Sequence, residues 1–76
     1  MINITSICTK YGILPSRFTD NPSIRNRNLT RTIKGRGGYT EIDESLMPEF
    51  LIWLKPELKS RIFSGVKWQQ LWEELK

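Results

Sequence analysis

Histidine is absent from this chain, cysteine occurs once, and the longest uninterrupted apolar run is Phe50 to Leu54. Without histidine, the commonest general base and the commonest zinc ligand are both gone. A lone Cys8 forms no internal disulfide and no multi-cysteine zinc site. The apolar run falls far short of the ~20 residues that a membrane-spanning helix needs. Met1 is followed by Ile2, Asn3 and Ile4, with neither a basic stretch nor a long apolar one, so no secretory signal is expected. These absences point to a reducing, cytoplasmic setting, with no membrane, no cofactor and no small-molecule substrate.

What is present is one domain's worth of chain. At 76 residues, a folded unit buries only about 60% of the surface its unfolded form exposes. The 38% apolar content is enough for a small core, and 26% charged residues in a varied alphabet do not describe a disordered chain. The net charge is +4, and its distribution says more than its sum. Residues 1–40 carry seven cations (Lys10, Arg17, Arg25, Arg27, Arg31, Lys34 and Arg36) against Asp20 alone, a net of +6. Residues 41–76 carry five cations against seven carboxylates, a net of −2. One half suits a polyanion and the other suits solubility or packing.

The local patterns order themselves along the chain. Ile4, Ile7, Cys8 and Tyr11 lie at helical spacing, with Asn3 as an N-cap and Gly12 just past the end. Asp20-Asn21-Pro22 opens a second short helix through Ser23 to about Asn28, with Ile24 facing inward. Leu29 to Ile33 alternates as a strand and Tyr39 to Ile42 returns as a second, joined by the basic, glycine-rich turn Lys34-Gly35-Arg36-Gly37-Gly38. Asp43 precedes a helix with the broad apolar face Leu46, Met47, Phe50, Leu51, Trp53 and Leu54. Pro56 to Phe63 forms another, ending near Gly65. The reading is an α+β fold, mostly helical: a small winged helix-turn-helix-like domain with one β-hairpin.

Catalytic arrangements are not found. Cys8 sits on an apolar helix face with no imidazole to activate it, and reads as a small core hydrophobe. Gly-Arg-Gly-Gly lacks the G-x-x-x-x-G-K-[ST] order of a phosphate loop. Asp43/Glu44 and Glu73/Glu74 are adjacent in sequence and point in different directions on helices. Pro56-Glu57-Leu58-Lys59 faintly echoes a nuclease signature, but a helix start accounts for it. The chain reads as no enzyme.

The basic segment from Arg17 to Arg36 remains. Arg25, Asn26, Arg27 and Asn28 are the side-chain types that pair with guanine or adenine edges in the major groove, with Ser23 at the start of the same helix. Lys34 and Arg36 at the turn would grip phosphate or minor groove, and Arg17 and Arg31 would neutralise flanking backbone. The segment reads as a binding surface for double-stranded DNA.

Four stretches resemble, in order, the landmarks of a known family: Ile2 to Gly12 with its Asn3-Ile4-Thr5, then Arg17-Phe18-Thr19-Asp20, then Gly35-Arg36-Gly37-Gly38, then Trp53-Leu54-Lys55-Pro56-Glu57-Leu58. Together they resemble the KilA-N domain of DNA viruses and bacteriophages, which is similar in fold to fungal APSES domains. The resemblance covers residues 2 to 63. It departs at Ile4, where the family has a small residue, and at Asn21-Pro22, where a tryptophan is common. It implies sequence-specific DNA binding by a phage-type transcriptional repressor, or by a competitor for the sites of a larger relative. Upstream strands of that family have no counterpart before Ile2, so the sheet is expected to be reduced to the hairpin.

Beyond the resemblance, residues 64–76 form an amphipathic helix with Trp68, Leu71, Trp72 and Leu75 at i, i+3, i+4 and i+7. Two expectations stand for it: the stripe closes the core, or it forms a homodimer interface suited to paired half-sites. The alternative function is a protein-binding module, a small phage factor that engages a host or phage protein through the same tryptophans. A second alternative is single-strand or RNA binding, with Phe18 and Tyr39 as stacking platforms.

Overall fold

The computed structural model describes every residue from Met1 to Lys76. The elements run β1 (Ile2–Asn3), α1 (Thr5–Lys10), α2 (Ser16–Thr19), α3 (Pro22–Arg25), β2 (Thr30–Ile33), β3 (Tyr39–Ile42), a 3-10 turn at Glu44–Leu46, α4 (Met47–Leu54), α5 (Leu58–Phe63) and α6 (Trp68–Leu75). This is an α+β fold with one antiparallel sheet. Two compact units divide it, Met1–Glu44 and Ser45–Lys76. The division falls just past the hairpin, and α6 packs on α4 within the second unit.

In the first unit, β2 and β3 pair antiparallel with Thr30 opposite Ile42 and Ile33 opposite Tyr39, the hairpin expected from alternation. The sheet is not reduced to it. β1 joins the far side of β3, giving the order β1-β3-β2 with Ile2 opposite Ile42. What holds β1 is the Asn3-Ile4-Thr5 segment. Ile4 N donates to the Thr40 carbonyl at 3.0 Å, and Thr40 N donates to Thr5 Oγ1 at 2.8 Å. Asn3 Oδ1 accepts from Thr5 N at 2.9 Å, so Asn3 turns the chain into α1 although Ile4 holds the cap position. Both outward polar groups of Thr40, itself buried, are thus satisfied, as burial requires.

α1 lies against β3 and buries Ile7 and Cys8, with Ile4 buried just before it. Tyr11, expected on the same face, is instead exposed, because α1 ends at Lys10 and Gly12 turns the chain at φ 68°. Burial pushes the Cys8 thiol up to about 11, so at neutral pH it is protonated and a poor nucleophile. α2 is an element that periodicity does not announce. Pro15 opens it and Phe18 and Thr19, both buried, anchor it beside α3. Phe18 is therefore core and unavailable as a stacking platform.

The second unit is three helices. α4 buries Met47, Phe50, Leu51 and Leu54; Pro48 falls in its first turn, where a missing donor is cheapest. Phe50 is fully buried, stacked on Trp53 with centroids 6.0 Å apart and meeting the Trp72 ring edge-on at 6.4 Å. α5 buries Leu58, and Arg61 on it pairs with Glu74 on α6 at 3.1 Å. Leu71, Trp72 and Leu75 are buried within the chain and only Trp68 is half-buried. The stripe is accordingly core. This leaves the expected dimer or partner-protein surface on α6 with little to offer, since its apolar side chains are already covered. No helix is long and apolar enough to cross a membrane.

Candidate nucleic-acid interface

The side chains singled out for DNA contact all lie in the first unit, and all of them are exposed: Arg17, Ser23, Arg25, Asn26, Arg27, Asn28, Arg31, Lys34 and Arg36. Two short helices and one hairpin present them. Arg17 stands on α2 beside the buried Phe18. On α3, Ile24 is the buried anchor and Arg25 projects at the helix end. Asn21 caps α3: its Oδ1 accepts from Ser23 N at 3.1 Å. The same oxygen accepts the Ser23 hydroxyl at 2.9 Å, so that hydroxyl is engaged in the cap.

The helix expected to run to Asn28 stops at Arg25. Arg27 N and Asn28 N donate to the Ile24 and Arg25 carbonyls in i→i−3 turns, and Asn28 adopts a left-handed φ of 55°. The reason lies in the residues: after Ile24 the i+4 position is Asn28, so no second apolar side chain ties another helical turn to the core. Asparagine tolerates the left-handed region better than most residues. Asn28 thus has a backbone duty that turns the chain into β2, whatever its side chain meets.

At the hairpin tip, Lys34 and Arg36 are exposed, and Gly35 and Gly37, flanking Arg36, both have positive φ. Gly38 is fixed by crowding. Its N–H donates to the Gly35 carbonyl at 2.9 Å, and a Cβ built on it would collide with the Ile33 carbonyl oxygen. Backbone is what blocks the space, so no side-chain rotation relieves the clash. Gly38→Ala is expected to loosen the tip at a cost of about 1–3 kcal/mol, checked by thermal unfolding together with amide chemical shifts of residues 33–39. Unchanged stability and shifts would show that the tip is not built this way.

Arg31 differs from the other cations. Register sets it opposite Glu41, and its guanidinium donates to Glu41 Oε1 at 2.7 Å. That hydrogen bond and charge hold the Arg31 pKa above its ordinary value, with Tyr39 adding a smaller contribution. Its charge is largely balanced within the sheet, so the backbone-neutralising role expected of it is weakened. The side chains of Arg17, Arg25, Lys34 and Arg36 carry no ion pair. The cations without an ion pair are therefore Arg17, Arg25, Lys34 and Arg36, and Arg27 is exposed beside them. Sequence reasoning missed Tyr39 and Ile33 as a facing pair beside Arg31 on the sheet face away from Thr40 and Ile42. Strand alternation combined with the hairpin register contains that signal. No three acidic or cysteine side chains gather into a metal site.

Comparison of the chain with protein-family models, with curated proteins and with solved structures finds no match in any of them.

Proposed function

We propose that the first unit binds double-stranded DNA sequence-specifically, with α2 and α3 as the helix-turn-helix pair and the β2–β3 hairpin as a wing. The observation that carries this reading is the exposure of Arg17, Arg25, Arg27, Lys34 and Arg36 along one stretch whose only carboxylate is Asp20. Arginines and amides at the end of α3 suit purine edges in the major groove. The glycine-flanked tip lets backbone and cations approach phosphate closely. The resemblance of Asn3-Ile4-Thr5, Arg17 to Asp20 and Gly35 to Gly38 to KilA-N landmarks agrees with this assignment. With that resemblance, the role is a phage-type repressor, or a competitor for the DNA sites of a larger relative.

Electrostatic binding of this kind is salt-dependent. If the five exposed cations Arg17, Arg25, Arg27, Lys34 and Arg36 each displace counterions, the plot of log affinity against log salt has a slope of about −4.5. Fluorescence anisotropy of labelled duplexes, selected from a random pool and titrated at several salt concentrations, measures it. A slope near zero, or tighter binding to single strands than to duplexes, would sink the proposal.

A further inference from the structure

The two sides of the sheet are finished differently. Asp43 N donates to the Leu29 carbonyl at 2.8 Å, which fixes the phase of the β2–β3 ladder: Leu29/Asp43, Arg31/Glu41 and Ile33/Tyr39 are its hydrogen-bonded pairs. Thr40 and Ile42 therefore turn their amide and carbonyl groups away from β2. Those groups face β1 and its extension, where Ile4 N and Thr5 Oγ1 serve Thr40. By the same alternation, Thr30 and Thr32 turn their amides and carbonyls away from β3, and no other part of the chain bonds them. β2 is an open edge, exposed from Arg31 to Ile33.

Natural proteins blunt such edges with proline, bulges, lysines or a covering loop. β2 has none of these. Its one cation, Arg31, is held by Glu41 of its own sheet. The sequence of the edge is also symmetric in kind about that arginine: Leu29-Thr30-Arg31-Thr32-Ile33 reads apolar, threonine, arginine, threonine, apolar in either direction.

We infer that β2 pairs antiparallel with β2 of a second copy of this chain, about a two-fold axis through Arg31, to give a continuous six-stranded sheet. Self-pairing is what the symmetry of the edge selects. Around that axis Thr30 meets the other copy's Thr32 in a hydrogen-bonded pair, so the open amides and carbonyls satisfy one another. Ile33 meets Leu29, covering an isoleucine that is 37% exposed in the single chain. The two Arg31 side chains face each other, each already balanced by its own Glu41, so the row across the sheet is Glu, Arg, Arg, Glu. Like charges opposite one another destabilise a strand pair, and the Glu41 carboxylates remove most of that penalty. A two-fold assembly of this kind is isologous, each copy offering the same patch.

The pairing is testable without DNA, so its outcome is separate from that of the DNA-binding reading. Sedimentation equilibrium over a wide concentration series should show the wild-type chain rising from monomer mass towards twice that mass. Thr32→Pro removes only an outward donor and no β2–β3 bond, and should remain monomeric with its circular dichroism unchanged. In Arg31→Cys the two new thiols face each other across a non-hydrogen-bonded pair with Cα atoms about 4.5 Å apart, within reach of a disulfide. Ile33→Cys is a control on the same exposed edge, but on this axis it lies roughly 13 Å from its own counterpart. Under mild oxidation Arg31→Cys should cross-link at least about tenfold faster than Ile33→Cys, since only the former thiols can meet. A wild-type chain that stays monomeric at every concentration leaves the edge to a strand of some other protein and overturns the inference. Equal cross-linking rates for the two cysteine variants overturn it too, as does a Thr32→Pro chain that associates like wild type.

Discussion

Reversing charge at both Arg25 and Arg27 is expected to remove sequence-specific duplex binding while leaving the fold intact. Both side chains are exposed at and just beyond the end of α3, so the substitution Arg25→Glu/Arg27→Glu disturbs no apolar packing. A bidentate arginine–base contact discriminates by about 1–3 kcal/mol. Two such contacts amount to about 2–6 kcal/mol, a loss of roughly thirtyfold at the least. Glutamate adds repulsion from the phosphates, which steepens the loss at low salt. Anisotropy titrations of the variant and wild type against the same selected duplex measure the effect, with circular dichroism as the control for folding. A control at Lys59→Glu, exposed in the second unit, should change affinity far less. If the double variant binds every duplex as tightly as wild type, α3 is not the reading element.

Phe50→Ala is expected to produce the largest loss of stability of any single substitution in the second unit. Phe50 is fully buried on α4 and its ring is shared between Trp53 and Trp72. Truncating a buried phenylalanine to alanine costs about 3–5 kcal/mol. Small domains have only about 5–15 kcal/mol in total, and a three-helix unit sits near the bottom of that range. The expected result is loss of cooperative unfolding at ordinary temperature, read by thermal melting and by tryptophan fluorescence shifted towards that of exposed indole. Phe50→Leu, which keeps most of the volume, should retain a cooperative transition. Equal melting temperatures for Phe50→Ala and wild type would contradict the packing described for α4 and α6.

How much of this was legible in the sequence depended on whether an element carried its own signal. The β2–β3 hairpin was, because Leu29 to Ile33 has the period of a strand and the glycine cluster marks its turn. α4 was, because its apolar residues fill most of a helical circumference. α2 was not: four residues from Ser16 to Thr19 are too few to show a period, and only Phe18 hints at an inward face. β1 was not, since a two-residue strand has no pattern of its own and its partner comes about forty residues later. The length of α3 was overestimated because polar side chains say nothing about where a helix stops: this one ends at Arg25, and Asn28 then turns the chain through its backbone. For α6 the period was right but its meaning was open, because core and interface place the same demand on Trp68, Leu71, Trp72 and Leu75. Exposure of the cations could be foreseen, as arginine and lysine seldom bury. The capture of Arg31 by Glu41 required the hairpin register, which becomes countable only once the turn is known to close at Gly38.

The attachment of the N-terminal arm to β3 has a temporal side. A hairpin can close by itself in microseconds, but Ile4 and Thr5 cannot grip Thr40 until that hairpin exists and a long stretch of chain has looped back. Residues made before the hairpin are thus seated after it, and the first unit must wait for its own middle to fold before β1 has anywhere to go.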